Sequence, residues 1–192
     1  MNRRKAIGRL ILVGLGGAIG FGGYRWHALV REPDITFLEK QDALLGALAD
    51  TIIPSSANAP GALQAGVGPF ILAMVKDCAD RKTQNKFVDG LIDLETRCQR
   101  SFNRSYLLCD KDQQQEVLSY YAKTESAMKG WWGKAEARLL GMPFFDTLKR
   151  YTVMGYCSSQ KGATQGLAYL AVPGSYQGCI AYQKDQPAWA TK

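Results

Sequence analysis

The sequence predicts an all-α fold: a small helical domain with an irregular C-terminal arm, preceded by an N-terminal apolar signal or anchor segment. Two observations carry this. Apolar residues recur at i, i+3 and i+4 over most of residues 37–157, and no segment alternates apolar and polar residues with β-branched enrichment, as a half-buried strand would. A chain of 192 residues, 46% hydrophobic and 10% aromatic, also has enough apolar surface to bury one core, so disorder is not the default.

The N-terminus comes first. Asn2, Arg3, Arg4 and Lys5 precede residues 10–24, an uncharged apolar run carrying six glycines, which is the layout of an export signal. Adjacent Arg3 and Arg4 before a weakly hydrophobic, Gly-rich run point to the twin-arginine route, whose translocase moves folded proteins. At about 1.5 Å per residue the run spans roughly 22 Å, short of the roughly 30 Å of a bilayer core, so it is marginal as a permanent span. No Ala-x-Ala site follows, and Trp26 and His27 are residues of the membrane-interface kind. Residues 1–25 therefore read as a twin-arginine signal or a retained anchor, 26–36 as a linker and 37–192 as the helical domain. Residues 1–31 hold six Lys or Arg and no acid, leaving 18 basic against 17 acidic groups in the rest. Six of the seven net positive charges thus lie in residues 1–31, and the remainder has no basic face with which to neutralise phosphates, so no nucleic-acid partner is expected.

Leu44, Leu45, Leu48, Ile52 and Ile53 make one apolar helical face, and Pro54 ends it. Residues 54–66 are small, polar and Pro/Gly-bearing, hence a loop of a length often used for binding. Val67, Phe70, Ile71, Met74, Val75 and Cys78 form a helical stripe, and Phe87, Leu91, Leu94 and Cys98 form a second. These two helices are expected to pack as an antiparallel pair. Asp110 followed by Gln113 signals a helix start, continued by Val117, Leu118, Tyr121 and Met128 until Trp131-Trp132-Gly133 interrupts it. The paired tryptophans read as core or interface anchors. Pro143 suits a first helical position, and Phe144, Leu148, Tyr151 and Gly155 recur behind it on a face that packs inward, with Gly155 admitting a close neighbour.

After Cys157 the periodicity fails. Ser158, Ser159, Gly162 and Gly166 favour turns, and Pro173-Gly174 is a strong turn signal, so packing rather than propensity must order this arm, with Tyr169, Leu170, Val172 and Tyr176 as its anchors. Such an arm either wraps its own core or offers a surface to another protein. The candidate partner-interface residues are Tyr156, Tyr169, Pro173, Gly174 and Tyr176.

Catalytic chemistry is sparse. The sole histidine, His27, lies beside the leader, which removes Ser-His, Cys-His and His-metal arrangements from the domain. Asp93, Glu95 and Glu136 are scattered among Lys and Arg rather than paired. Neither GxGxxG nor GxxxxGK[ST] occurs, so this chain is expected to hold no nucleotide, flavin or metal. Cysteines 78, 98, 109, 157 and 179 form no CxxC pair and no CxxCH haem site. Cys78 and Cys98 lie on apolar stripes, where small buried thiols are common. Export permits disulfides, and the odd count leaves at least one thiol free or paired outside the chain.

In order along the chain, LLGALADTIIP, APGALQAGV, FVDGLIDLE and PFFDTLKRYTVMGYCSSQKGATQGLAYLAVPGSYQGC resemble the gluconate 2-dehydrogenase subunit 3 family over residues 44–179. The resemblance implies a non-catalytic, cofactor-free small subunit of a membrane-bound dehydrogenase that oxidises sugars or sugar acids. It implies a large FAD-binding subunit of the glucose-methanol-choline type as partner, whose maturation and twin-arginine export this chain assists. It further implies a separate cytochrome c subunit carrying haem c, and a periplasmic location associated with the inner membrane. Many relatives read GYYTS where this chain has Gly155-Tyr156-Cys157-Ser158-Ser159, which adds a thiol. Cys179 ends the resembling block in a Gly-Cys pair after a turn and is the candidate intersubunit disulfide; a free thiol, or pairing with Cys157 or Cys109, is the alternative. The competing functional reading is a free-standing exported helical protein that binds a small ligand or exchanges thiols through Cys157 or Cys179.

Overall fold

A computed structural model describes residues 31–126 and 140–190, apart from 173, 176, 177, 180, 182, 183 and 185. Arg3, Arg4, His27, Met128, Trp131, Trp132 and Glu136 lie outside the described residues. The described part is helical, and its only β pairing is a single bridge between Ala168 and Trp189. Among the described residues no helix is long and apolar enough to cross a membrane.

Helix α1, Ile35–Glu39, starts two residues inside the expected linker because the Asp34 carboxylate accepts the Phe37 N–H at 2.8 Å, a side-chain cap for an otherwise orphan donor. Upstream of it, Arg31 is already docked. Its carbonyl accepts from Asn85 Nδ2 at 2.8 Å, and its guanidinium pairs with Asp89. Helix α2, Asp42–Ile52, buries Leu44, Leu45 and Leu48, while Ile52 and Ile53 at its end are only partly covered. Each fully buried leucine contributes about 1.5–3 kcal/mol relative to exposure.

Helix α3, Val67–Ala73, does not run on as an α-helix to Cys78. It widens into a π-helical turn, Met74–Cys78. A π turn holds more residues than an α turn, so the predicted inward stripe drifts and Cys78 emerges exposed rather than buried. Gln84 covers the carbonyls at this turn: its Nε2 donates to Val75 O at 3.0 Å and to Lys76 O at 2.8 Å. Helix α4, Arg81–Phe102, follows. Asp80 caps its start, Asn103 at φ +53° ends it, and Phe87, Leu91, Leu94 and Cys98 are fully buried as their spacing requires. A short 3-10 turn, Tyr106–Leu108, then folds back on α4, where Glu95 accepts both Ser105 Oγ (3.1 Å) and Tyr106 N (3.2 Å).

Helix α5, Lys111–Ser126, opens with the reciprocal box the sequence encodes: Gln113 N donates to Asp110 Oδ1 at 2.9 Å, and Asp110 N donates to Gln113 Oε1 at 3.2 Å. Helix α6, Phe144–Ser158, is the centre of the packing and touches α2, α3, α4 and α5. The expected α3–α4 pair is not the main contact of either helix. Helix α3 packs chiefly on α2 and α6, and α4 on α6, because α6 carries apolar residues on two sides. On one side Phe144 meets Phe87 at 5.3 Å and Tyr121 at 5.6 Å between ring centroids. On the other, Gly155 admits the Phe70 ring so closely that an added Cβ would lie 2.7 Å from it.

Candidate partner interface

The end of α6 divides inward from outward chemistry. Inward, Tyr156 is 7% exposed, and its hydroxyl donates to Pro60 O at 2.8 Å, which pins the 54–66 loop to the helix. That loop is further fixed by Ala62, fully buried, whose N–H donates to Ile53 O at 2.9 Å. Tyr156 was grouped above with the interface candidates. The structure instead encloses its ring within the chain, and burial pushes its phenol above the ordinary tyrosine range.

Tyr156 also sets the root of the arm. Ser159 Oγ donates to Tyr156 O at 2.8 Å and accepts the Gly162 N–H at 3.0 Å, leading into a second π-helical turn, Gly162–Gly166. At Gly166 an added Cβ would sit 2.1 Å from the Tyr156 hydroxyl, so only glycine fits against that ring. The next tie is at Ala168, whose N–H donates to Ala188 O at 2.8 Å and whose carbonyl accepts from Ala190 N at 2.9 Å. The arm therefore leaves and returns at one place.

Outward, Val153, Met154 and Cys157 are exposed on α6, and Tyr169, Leu170 and Val172 are exposed on the arm, Val172 at 80%. The last three do not act as anchors on the chain's own core: that core ends at Tyr156, and the arm is held instead by Gly166 and Ala168. Gly174 and Cys179 are exposed as well; Pro173 and Tyr176 lie outside the described residues. The structure thus leaves Tyr169, Gly174 and Cys179 exposed along the arm and withdraws Tyr156 to its base. Isolated apolar residues on a surface are ordinary, but consecutive ones on an arm without an opposing core are the kind that a partner covers.

The carboxylates are occupied structurally. Asp93 Oδ2 accepts the Tyr121 hydroxyl at 2.6 Å, and Glu95 holds the 3-10 turn. Glu125, which sequence reasoning missed, accepts the N–H groups of Phe145 and Asp146 at 3.1 Å each. It caps α6 from another helix. The signal for it was indirect: Pro143, at the cap position, has no side chain that can accept these hydrogen bonds. Burial holds the Glu125 carboxyl above the ordinary range, with the two backbone donors opposing. Among the described residues no three His, Cys, Asp or Glu side chains gather as metal ligands. A shallow groove of about 200 Å³, lined by Ile52, Leu118, Ala122, Phe145 and Lys149, opens between α2, α5 and α6.

No curated protein and no solved structure shows significant similarity to the chain. The family model described as gluconate 2-dehydrogenase subunit 3 matches residues 39–174, from the end of α1 through α6 to the exposed part of the arm. That match covers most of the chain and all five helices from α2 to α6 with their aromatic core, and by it the protein belongs to the gluconate 2-dehydrogenase subunit 3 family, whose members are subunits of a dehydrogenase complex.

Proposed function

We propose that this chain is the non-catalytic small subunit of an FAD-dependent sugar or sugar-acid dehydrogenase, docking on the flavin-bearing large subunit through the outward arm and the exposed end of α6. One observation carries the reading: the family match runs into an arm whose Tyr169, Leu170 and Val172 are exposed while its root is rigidly held. A fixed root with an uncovered apolar strip lowers the ordering cost of association, which is what a docking element needs. The flavin belongs to the large subunit and haem c to a cytochrome subunit. Arg3 and Arg4 address the assembled pair to the twin-arginine translocase, so that this chain assists maturation and export to the periplasmic side of the inner membrane. Cys179 supplies a covalent tie to the large subunit.

The test is affinity capture of the full-length chain from its native cells, with mass spectrometry and cell fractionation. The expected result is a flavoprotein and a c-type cytochrome in the eluate, dehydrogenase activity in the periplasmic or membrane fraction, and a non-reducing gel band joining this chain to the large subunit that Cys179→Ser abolishes. A solitary monomer would overturn the subunit reading, purely cytoplasmic activity the export reading, and a band unaffected by Cys179→Ser the covalent tie.

A further inference from the structure

We propose that Cys98 and Cys109 are a disulfide-forming pair that closes the α4 to α5 connection as an intrachain bridge. Cys98 is the last residue of the buried α4 stripe and is fully enclosed; Cys109 follows the 3-10 turn and is 7% exposed. Between them the chain reverses at Asn103, and Glu95, one turn before Cys98, draws Ser105 and Tyr106 back onto α4. Cys109 N then donates to Tyr106 O at 3.2 Å, which fixes the approach of the second cysteine. The result is that Cys98 and Cys109 share the buried core cluster with the Tyr106 ring, and the two thiols sense each other electrostatically. The other three cysteines are exposed, so this is the one place among the described residues where two thiols are brought together inside the fold.

Burial keeps both thiols protonated, that of Cys98 up to about 12. Cys98 is therefore a slow nucleophile, and the partly accessible Cys109 enters first. Its thiolate attacks a disulfide oxidant, either a protein thiol oxidase or oxidised glutathione, and displaces one thiolate to give a mixed disulfide. Cys98 then attacks the Cys109 sulfur and displaces the second. Two protons leave the cysteines and are taken up by the two expelled thiolates, and two electrons reduce the oxidant to its dithiol. The bridge leaves Cys78, Cys157 and Cys179 as exposed thiols, and it removes Cys109 as a partner for Cys179. That the bridge is present in cells rests on the export reading, since cytosolic thiols are held reduced; that the site can form it does not.

The experiment uses the full-length chain in two arms. Purified protein is treated with oxidised glutathione, alkylated without reduction and digested with trypsin, which cuts at Arg97, Arg100 and Arg104. The expected product is the 98–100 peptide joined to the 105–111 peptide, with a melting temperature about 5–10 °C above that of the reduced chain, a difference absent in Cys98→Ser. The second arm maps the same peptides from freshly lysed native cells under acid quench. Linkage in both arms upholds the pair; linkage only with added oxidant upholds the pair and counts against export. Free, separately alkylated Cys98 and Cys109 after oxidation of the folded chain would overturn the proposal.

Discussion

Helix α6 and the arm that follows it are continuous in sequence and similarly rich in aromatic and aliphatic residues, yet they hold them in opposite ways. In α6, Phe144, Leu148, Tyr151 and Tyr156 face four other helices and are buried. In the arm, Tyr169, Leu170 and Val172 face no second layer and stay exposed. The difference is one of opposition rather than composition. A side chain is buried where another element stands across from it, and past Gly166 the described fold has spent its helices. Helix α6 thus carries stability, while the arm holds apolar residues that the proposed function gives to association.

The largest loss of stability is expected at the start of α6. Phe144→Ala removes a ring packed on Phe87 and Tyr121 and should cost about 3–5 kcal/mol in thermal or urea unfolding. Phe70→Ala should cost less, because that ring is only partly buried against Gly155. Equal, small losses would show that α6 is not the centre of the core.

A smaller effect is expected at Glu125. Replacing it by Gln keeps one acceptor for the α6 start and should cost on the order of 1 kcal/mol near pH 4. The pH dependence gives a signed test. A carboxyl raised in the folded state stays protonated there after the unfolded chain has ionised, so its contribution is full below about pH 4.3 and fades as pH rises through the raised value. The stability gap between wild type and Glu125→Gln should therefore narrow with rising pH. A gap that widens over this window would assign Glu125 the opposite role.

The smallest stability effect belongs to the arm. Tyr169→Ser, Leu170→Ser and Val172→Ser combined should leave the melting temperature of the isolated chain nearly unchanged, within about 0.5 kcal/mol per site, while abolishing capture of the large subunit. A large drop in melting temperature with capture intact would reverse these roles.

Much of the core was legible in the chain. The Asp110/Gln113 box, the Phe87 to Cys98 stripe and the α6 face depend on local spacing, and each formed as its period demands. Cys78 was not legible, because α periodicity gives no notice of a π turn whose carbonyls are met by Gln84, a residue of the next helix. Glu125 was missed for a related reason: a cap supplied 20 residues upstream leaves no short motif. Among the candidate interface residues, aromatic content could not separate Tyr156, which has Pro60 and Gly166 opposite it, from Tyr169, which is half exposed.

The docking of Arg31 has a mechanical consequence. Any pull on the residues before it enters the domain through Asn85 and Asp89, on the first turns of α4, and so bypasses α1. Asn85 is almost fully buried, so the load is borne inside the domain by the longest described helix, which α6 backs. Tension applied upstream of Arg31 would thus load α4 directly rather than peel helices off in chain order. The first element to give would be the exposed Arg31–Asp89 ion pair, weak in water, with the Asn85 hydrogen bond as the stop behind it.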